Sequence, residues 1–493
     1  MNFDVSQFYA EWRIILPEAF LIVWACVICA AAVFGKPDVE KRSGSFAIWT
    51  LLGAVATAVW VALTDDGAAF GGTFVFDRLA LLFKEIVLGG VILTAISSIG
   101  PVSRLRAHRG EYYGLILFSA SGMMMMISAT ELLTLYIALE LATVTLFVLA
   151  AYHKTNSKSA EAGLKYVILG GISSAILLYG VALLYGLTGE TELALVKAGL
   201  SQIYIDNGGF PPAVALALIL LLAGFGFKLA LAPFHMWAPD VYEGAPTPIT
   251  AYLSVASKAA AIAAFIRVFF VGLDPSQASW SQAIAVLAAL AMIVGNVTAI
   301  VQTNIKRMLA YSSVAQIGYI MVGAVAVNAY GATAMTYYAL AYLFANMGAF
   351  ICVIAFSNRT GSDEIADYTS LARRSPSIAT FMMLFLLSLA GIPPTAGFLA
   401  KYYVFLAAIE SGYLWLVIVG LVTSVVALYY YATVIRKMFF PLDQPEGGFP
   451  LAPTLAIALT ISALGVLYLG IFPAPFVDLA KAAAEMLMPG SGI

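Results

Sequence analysis

The sequence predicts an all-α polytopic membrane protein of about fourteen transmembrane helices, with two inverted five-helix repeats and two discontinuous helices. Three observations carry this prediction. The 493-residue chain is 62% hydrophobic and only 11% charged, whereas a soluble domain is roughly half apolar and about a quarter charged. Apolar runs long enough to cross a ~30 Å hydrocarbon core recur from end to end. Proline and glycine interrupt two of those runs, five helices apart.

The runs occupy residues 14–34, 46–64, 78–99, 111–129, 131–152, 160–186, 212–237, 247–271, 280–303, 306–326, 330–356, 377–403, 411–435 and 450–472. The longest polar intervals, 187–211 and 357–376, leave no room for a nucleotide-binding module. Three helices within 1–110 come first. A five-helix unit follows at 111–271, with its broken helix at 212–237. A second unit covers 272–440, with its broken helix at 377–403. Residues 441–493 supply the last span and an amphipathic C-terminal helix. In that helix Asp478, Lys481 and Glu485 form a narrow polar stripe, as in a helix resting on the outer surface. Asp4, Glu11 and Arg13 precede the first run. They are unlike the basic start of a secretory signal, so 14–34 reads as a retained helix.

Loop charges set the orientation, because Lys and Arg concentrate in short cytoplasmic loops. One side carries fifteen of the 25 Lys and Arg, including Lys36, Lys41–Arg42, Arg104, Arg106, Arg109, Lys306–Arg307 and Arg436–Lys437. The other carries five: Arg13, Arg78, Lys197, Arg267 and Lys481. The first side is expected to be cytoplasmic and both termini periplasmic.

The remaining bases are Lys84, Lys165, Lys228, Lys258 and Lys401, all inside predicted spans. At ~1.5 Å rise per residue, Glu140 in LYIALELATVTLF lies ~13 Å into its span, near mid-membrane. Ionisable groups at that depth are rare and usually face a bundle interior or a water-filled path. The two interruptions are GFGFKLALAPFHMWAPDVYE (224–243) and SLAGIPPTAGFLAKYY (388–403). Each frees backbone polar groups at membrane depth, which is tolerated only where protein or a cavity receives them. Matching breaks in two halves point to a transport pathway.

Several classes are excluded. A net charge of −2 implies no nucleic-acid partner. Cys26 and Cys29 form a C-x-x-C with no third ligand nearby, so they read as small buried hydrophobes rather than a metal or redox site. His108 and His153 fall in loops, which leaves no pair of buried haem ligands. No cofactor or metal is expected in this chain. Met123–Met126 reads as flexible packing.

FKLALAPFHMWAPDVYEGAPTPITAYLSVASKAA (227–260) resembles the core motif of the antiporter-like subunits of proton-pumping NADH:quinone oxidoreductase, respiratory complex I. KRMLAYSSVAQIGYIMVG (306–323) and LSLAGIPPTAGFLAKYYVF (387–405) resemble the same family's tenth and twelfth helices. The likeness covers essentially the whole chain. Within the family, the SVASK ending and a lysine at 401 are most similar to its bacterial N-type members.

The resemblance implies proton conduction driven by redox chemistry in other subunits, which would hold NADH, FMN, iron–sulfur clusters and quinone. It implies neighbouring antiporter-like subunits as partners in the bilayer. It also implies a glutamate–lysine pair, here Glu140 and Lys228, with relay lysines at Lys258 and Lys401. Burial disfavours a lysine's charge and a nearby carboxylate favours it, so movement of Glu140 would drive protonation on and off. Lys165 is expected to modulate that pair. His235, two turns beyond Lys228, suits a relay if the helix continues. Tyr311, Ser312 and Ser313 are candidates to order water. Lys84 is expected to snorkel or to pair locally beside Glu85. The alternatives are a subunit of a multi-subunit sodium/proton antiporter or of a membrane-bound hydrogenase, and a non-conducting membrane anchor.

Overall fold

The computed structural model describes residues 5–35, 37–64, 67–103, 108–440 and 447–488. Lys36, Arg104 and Arg106 of the basic side, and Asp4, lie outside the described residues. Among the described residues, twelve helices are long and apolar enough to cross a membrane.

Helix α1 (Val5–Ile14) leads into α2 (Leu16–Phe34), α3 (Pro37–Thr64) and α4 (Arg78–Ser103). A hairpin of β1 (Gly67–Ala69) and β2 (Phe74–Phe76) lies between the last two. Next come α5 (Arg109–Ser128), α6 (Leu132–Ala150), α7 (Ser157–Thr188), α8 (Leu193–Asn207), α9 (Pro212–Leu229), α10 (Trp237–Gly244) and α11 (Thr247–Phe265). Then follow α12 (Gln277–Ile300), α13 (Ile305–Val322), α14 (Ala329–Thr360), the short α15 (Leu371–Arg374), α16 (Pro376–Ala390), α17 (Ala396–Glu410) and α18 (Leu414–Phe439). Helices α19 (Pro453–Ile471) and α20 (Ala474–Leu487) end the fold.

The most apolar windows of the helices continuing from α11 and α13 are each 94% buried, and that of α14 is 89% buried; those of α2 and α7 are 28% buried. The first three therefore form the centre of the bundle, and α2 and α7 lie on its flanks. The π-helical turn Ile266–Gly272 extends α11. It carries Arg267, which the sequence assigns to the loops of the less basic side. Arg267 is buried, makes two hydrogen bonds to the Asp77 carboxylate at 2.7 and 3.0 Å, and donates to the Ile127 carbonyl.

Both proline-rich segments break a helix in the same way. Helix α9 stops at Leu229, with Ala230 left-handed at φ 60°. The Leu231 amide then reaches back to the Gly226 carbonyl at 2.7 Å. Helix α16 stops at Ala390, with Gly391 left-handed at φ 88°, and Ile392 N–H bonds the Leu387 carbonyl at 3.0 Å. These are helix-terminating motifs that satisfy orphan carbonyls. A cis peptide follows each, at Ala232–Pro233 and Pro393–Pro394.

Other features also recur in matched places. Gly122 of α5 lies so close to α6 that a Cβ there would sit 2.6 Å from Ala142 N and 3.0 Å from Ala138 O. Gly295 of α12 meets α13 likewise, 2.6 Å from Ala315 N and 2.7 Å from Tyr311 O. Gly295 stands as far along the chain from Tyr311 and Ala315 as Gly122 does from Ala138 and Ala142. Small residues permit such close helix approach in a membrane. Glu131 caps α6 and Asn304 caps α13, and each start is tied by an antiparallel bridge to the chain beyond the next helix, at Glu192 and Glu364.

Helix α20 does not simply rest on a surface. Ala480, Ala483 and Ala484 are buried, and the helix packs on α14 and α4. Lys84 neither snorkels nor pairs with Glu85. It is wholly buried, with Nζ 2.7 Å from Glu18 of α2 and 4.2 Å from the centre of the Phe76 ring. The helix turns its stem inward, towards the buried carboxylate in the first turn of α2.

Candidate functional site

Lys228 stands in the last turn of α9, just before the break, and is 5% exposed. Its ammonium donates to Thr143 Oγ1 at 2.6 Å, and that hydroxyl donates to the Leu139 carbonyl. Glu140 precedes Thr143 by one turn on α6. It lies in electrostatic range of Lys228, but no ion pair joins them among the described residues. One Glu140 oxygen, Oε1, is buried without a hydrogen-bond partner. The implied glutamate–lysine pair is thus replaced, in this structure, by a lysine–threonine contact. The reason is helical phase. Glu140 falls on the outward stripe with Leu133, Ile137, Val144 and Val148, all exposed, whereas Thr143 is buried.

Lys258 of α11 is 1% exposed and donates to Ser313 Oγ of α13 at 2.7 Å. Lys401 of α17 is 5% exposed. Its Nζ donates to the Ala390 carbonyl at 2.9 Å and to Ser424 Oγ of α18 at 2.7 Å, and lies 4.4 Å from the centre of the Tyr319 ring. Ala390 ends α16, so the lysine satisfies an orphan carbonyl at the negative end of a helix. Gly391 makes room for it: a Cβ there would lie 3.0 Å from Lys401 Cδ.

His235 does not share a helix face with Lys228, because α9 ends at Leu229 and His235 lies in the irregular 230–236 segment. There it is nearly buried, with Nδ1 unpartnered, its ring centre 6.2 Å from that of Tyr311, and in electrostatic range of Lys258. Lys165 does not engage Glu140. Its side chain is 41% exposed, and its ammonium pairs with Asp240 at 2.6 Å and Glu161 at 2.7 Å. Arg307 of α13 holds the other Asp240 oxygen at 2.8 Å. Lys165 is therefore tied to α10, beyond the break.

Sequence reasoning missed Thr143, Ser424 and Tyr319. The signal was the presence of hydroxyls inside apolar helices, in LATVTLF and LVTSVVALYYYATV. Among the described residues no group of three or more His, Cys, Asp or Glu could hold a metal ion.

Residues 129–427 match the family described as NADH:quinone oxidoreductase/Mrp antiporter, TM. The chain is 46% identical to the NADH-quinone oxidoreductase subunit N of Moorella thermoacetica, over 92% of this chain and 94% of that one. It is 40% identical to the subunit of the same name from Trichlorobacter lovleyi, over 99% and 100%. Among solved structures, a chain of respiratory complex I from Thermus thermophilus with bound aureothin matches with a TM-score of 0.79 and 33% identity, over 94% of this chain and 99% of that one. Three buried lysines on a twice-broken helical bundle, together with these relatives, place the chain in the NADH:quinone oxidoreductase/Mrp antiporter family, among its subunit N members.

Proposed function

We propose that this chain is a proton-translocating membrane subunit of NADH:quinone oxidoreductase, and that Glu140, Lys228, Lys258, Lys401 and His235 form its proton path. The observation that carries this reading is the partnering of the lysines. Lys228, Lys258 and Lys401 are almost wholly buried, yet each ammonium is hydrogen-bonded to hydroxyls or carbonyls and none to a carboxylate. A buried ion pair fixes both charges, because removing either leaves the other unpaired. A lysine held by neutral partners is free to release and regain its proton. Lys84, locked to Glu18, shows the contrasting structural arrangement.

The matched breaks, the paired Gly–Ala approaches and the paired bridges support two inverted five-helix units at 111–271 and 272–440, after three leading helices and before the last span and α20. Lys165 acts in this scheme by holding α10 through Asp240. Glu140 lies on an outward stripe of α6, where an ionisable side chain against lipid is expensive. That supports a neighbouring complex I subunit over this face. NADH, FMN, iron–sulfur clusters and quinone belong to partner subunits. The excess of Lys and Arg in one set of loops supports an orientation with that side in the cytoplasm of a bacterial inner membrane and both termini periplasmic.

Affinity purification of the tagged chain tests the reading. Recovery of a complex with NADH:quinone reductase activity is expected. Recovery of the chain without that activity, together with sodium-dependent proton exchange in liposomes, would favour a sodium/proton antiporter instead.

A further inference from the structure

Between Lys258 and Lys401 lies a cluster of buried hydroxyls that the lysine path alone does not use. Ser313 Oγ, which receives Lys258, also hydrogen-bonds Tyr342 OH at 2.7 Å. Tyr338, one turn earlier on α14, donates to Gln316 Oε1 at 2.6 Å. Gln316 Nε2 in turn donates to the Leu389 carbonyl, next to the Ala390 carbonyl that holds Lys401. On the far side Tyr319 OH bonds Thr423 at 3.1 Å and Asn296 Nδ2 at 3.0 Å, and its ring lies against the Lys401 ammonium. Asn296 Oδ1 accepts from Tyr430 OH.

Each of these side chains is buried. Buried polar networks persist only when their members are satisfied, and simple helix packing needs no such concentration of phenols. The register matters too. If Gly295, Tyr311 and Ala315 are aligned with Gly122, Ala138 and Ala142, Ser313 falls where Glu140 does. The second half therefore sets a neutral hydroxyl in the place of the first half's acid.

We propose that Tyr342, Tyr338 and Tyr319 carry protons between Lys258 and Lys401, with Asn296 and Gln316 as positioning residues that aim the phenol hydroxyls. The proposal rests on the lysine path above. A proton leaving the Lys258 ammonium leaves a neutral amine. Each hydroxyl oxygen gains a proton from one side as it releases its own to the other, and the last transfer passes through Ser424 Oγ, which is bonded to Lys401 Nζ, so that the neutral Lys401 amine ends as an ammonium. Only O–H and N–H bonds form and break, so no oxidant or reductant is needed. Hydroxyl rotation, or one intervening water, closes the step across Tyr338 and resets the chain afterwards. The two amides remain amides throughout.

The test uses the complete complex in membrane vesicles, with rates normalised to assembled complex. Tyr338→Phe and Tyr342→Phe keep the rings and remove the hydroxyls. Each is expected to lower NADH-driven proton pumping by roughly threefold or more, the scale of one lost hydrogen bond. Ser313→Ala is expected to do the same and Ser313→Thr to retain pumping, which separates hydroxyl loss from misfolding. Asn296→Leu is expected to change the solvent deuterium isotope effect on turnover, which a purely structural role would not. Tyr337→Phe, on the same helix but bonded to the Leu469 carbonyl, is expected to be silent. Wild-type pumping by both tyrosine variants, alongside loss in Lys258→Ala, would overturn the tyrosine relay and leave the lysine path standing. Wild-type pumping by Lys258→Ala would overturn both.

Discussion

Lys228 reaches Thr143, not Glu140. The 2.6 Å bond to a neutral hydroxyl leaves the lysine's charge unfixed, while the carboxylate waits one turn away on the same helix. In the proposed proton path, Thr143 is the resting partner of Lys228 and Glu140 the group that replaces it. Thr143→Val keeps the shape and removes the hydroxyl. A hydrogen bond to a charged group contributes ~1.5–3 kcal/mol, so coupled turnover in the assembled complex is expected to fall by about tenfold. Thr143→Ser is expected to restore most of it. Equal rates for the valine variant and wild type would remove Thr143 from the account.

The Glu18–Lys84 pair is expected to matter for folding, not conduction. Both groups are fully buried, so Lys84→Met strands a carboxylate, a cost of ~3–5 kcal/mol. Assembled complex should fall sharply in Lys84→Met and recover in the double variant with Glu18→Gln. Turnover per assembled complex should stay near wild type. These outcomes are read from native gels and from rates normalised to complex.

Gly391 combines a left-handed backbone with contact against Lys401. Gly391→Ala introduces a strained residue, ~1–2 kcal/mol from the backbone alone, and a Cβ 3.0 Å from the lysine stem. Both lower thermal stability of the complex and slower pumping are expected. Gly361→Ala, also left-handed but with open space around it, controls for backbone strain and should leave pumping per complex unchanged.

Lys165 and Asp240 form one unit that ties α7 to α10. Lys165→Ala and Asp240→Ala should therefore be non-additive: the double variant should pump about as well as the worse single one, as residues in direct contact do in a double-mutant cycle. Additive losses would show that Lys165 acts elsewhere.

Much of this architecture was legible in the sequence. Apolar run length located the helices, and the GFGFKLALAP and SLAGIPP segments located both breaks, because proline and glycine act locally on the backbone. Burial of Lys228, Lys258 and Lys401 followed from their depth in apolar runs. Side-chain partners did not, since they depend on helix rotation. Glu140 and Thr143 differ by under one turn, yet Glu140 is half-buried beside the outward stripe and Thr143 is buried. Lys84 likewise met Glu18, a residue the first run kept at its edge, and Arg267 proved to be a buried clamp rather than a loop cation. The hydroxyl cluster around Tyr338 could be read only once α12, α13, α14 and α18 were brought together.

In the proposed function, buried lysines without carboxylate partners move protons through this chain. The most direct test is NADH-driven proton pumping, measured together with quinone reductase turnover, by vesicles holding the intact complex with Lys228→Ala or Glu140→Ala. Loss of pumping with lowered turnover in both variants is the expected result. Pumping at the wild-type rate in both would contradict the account.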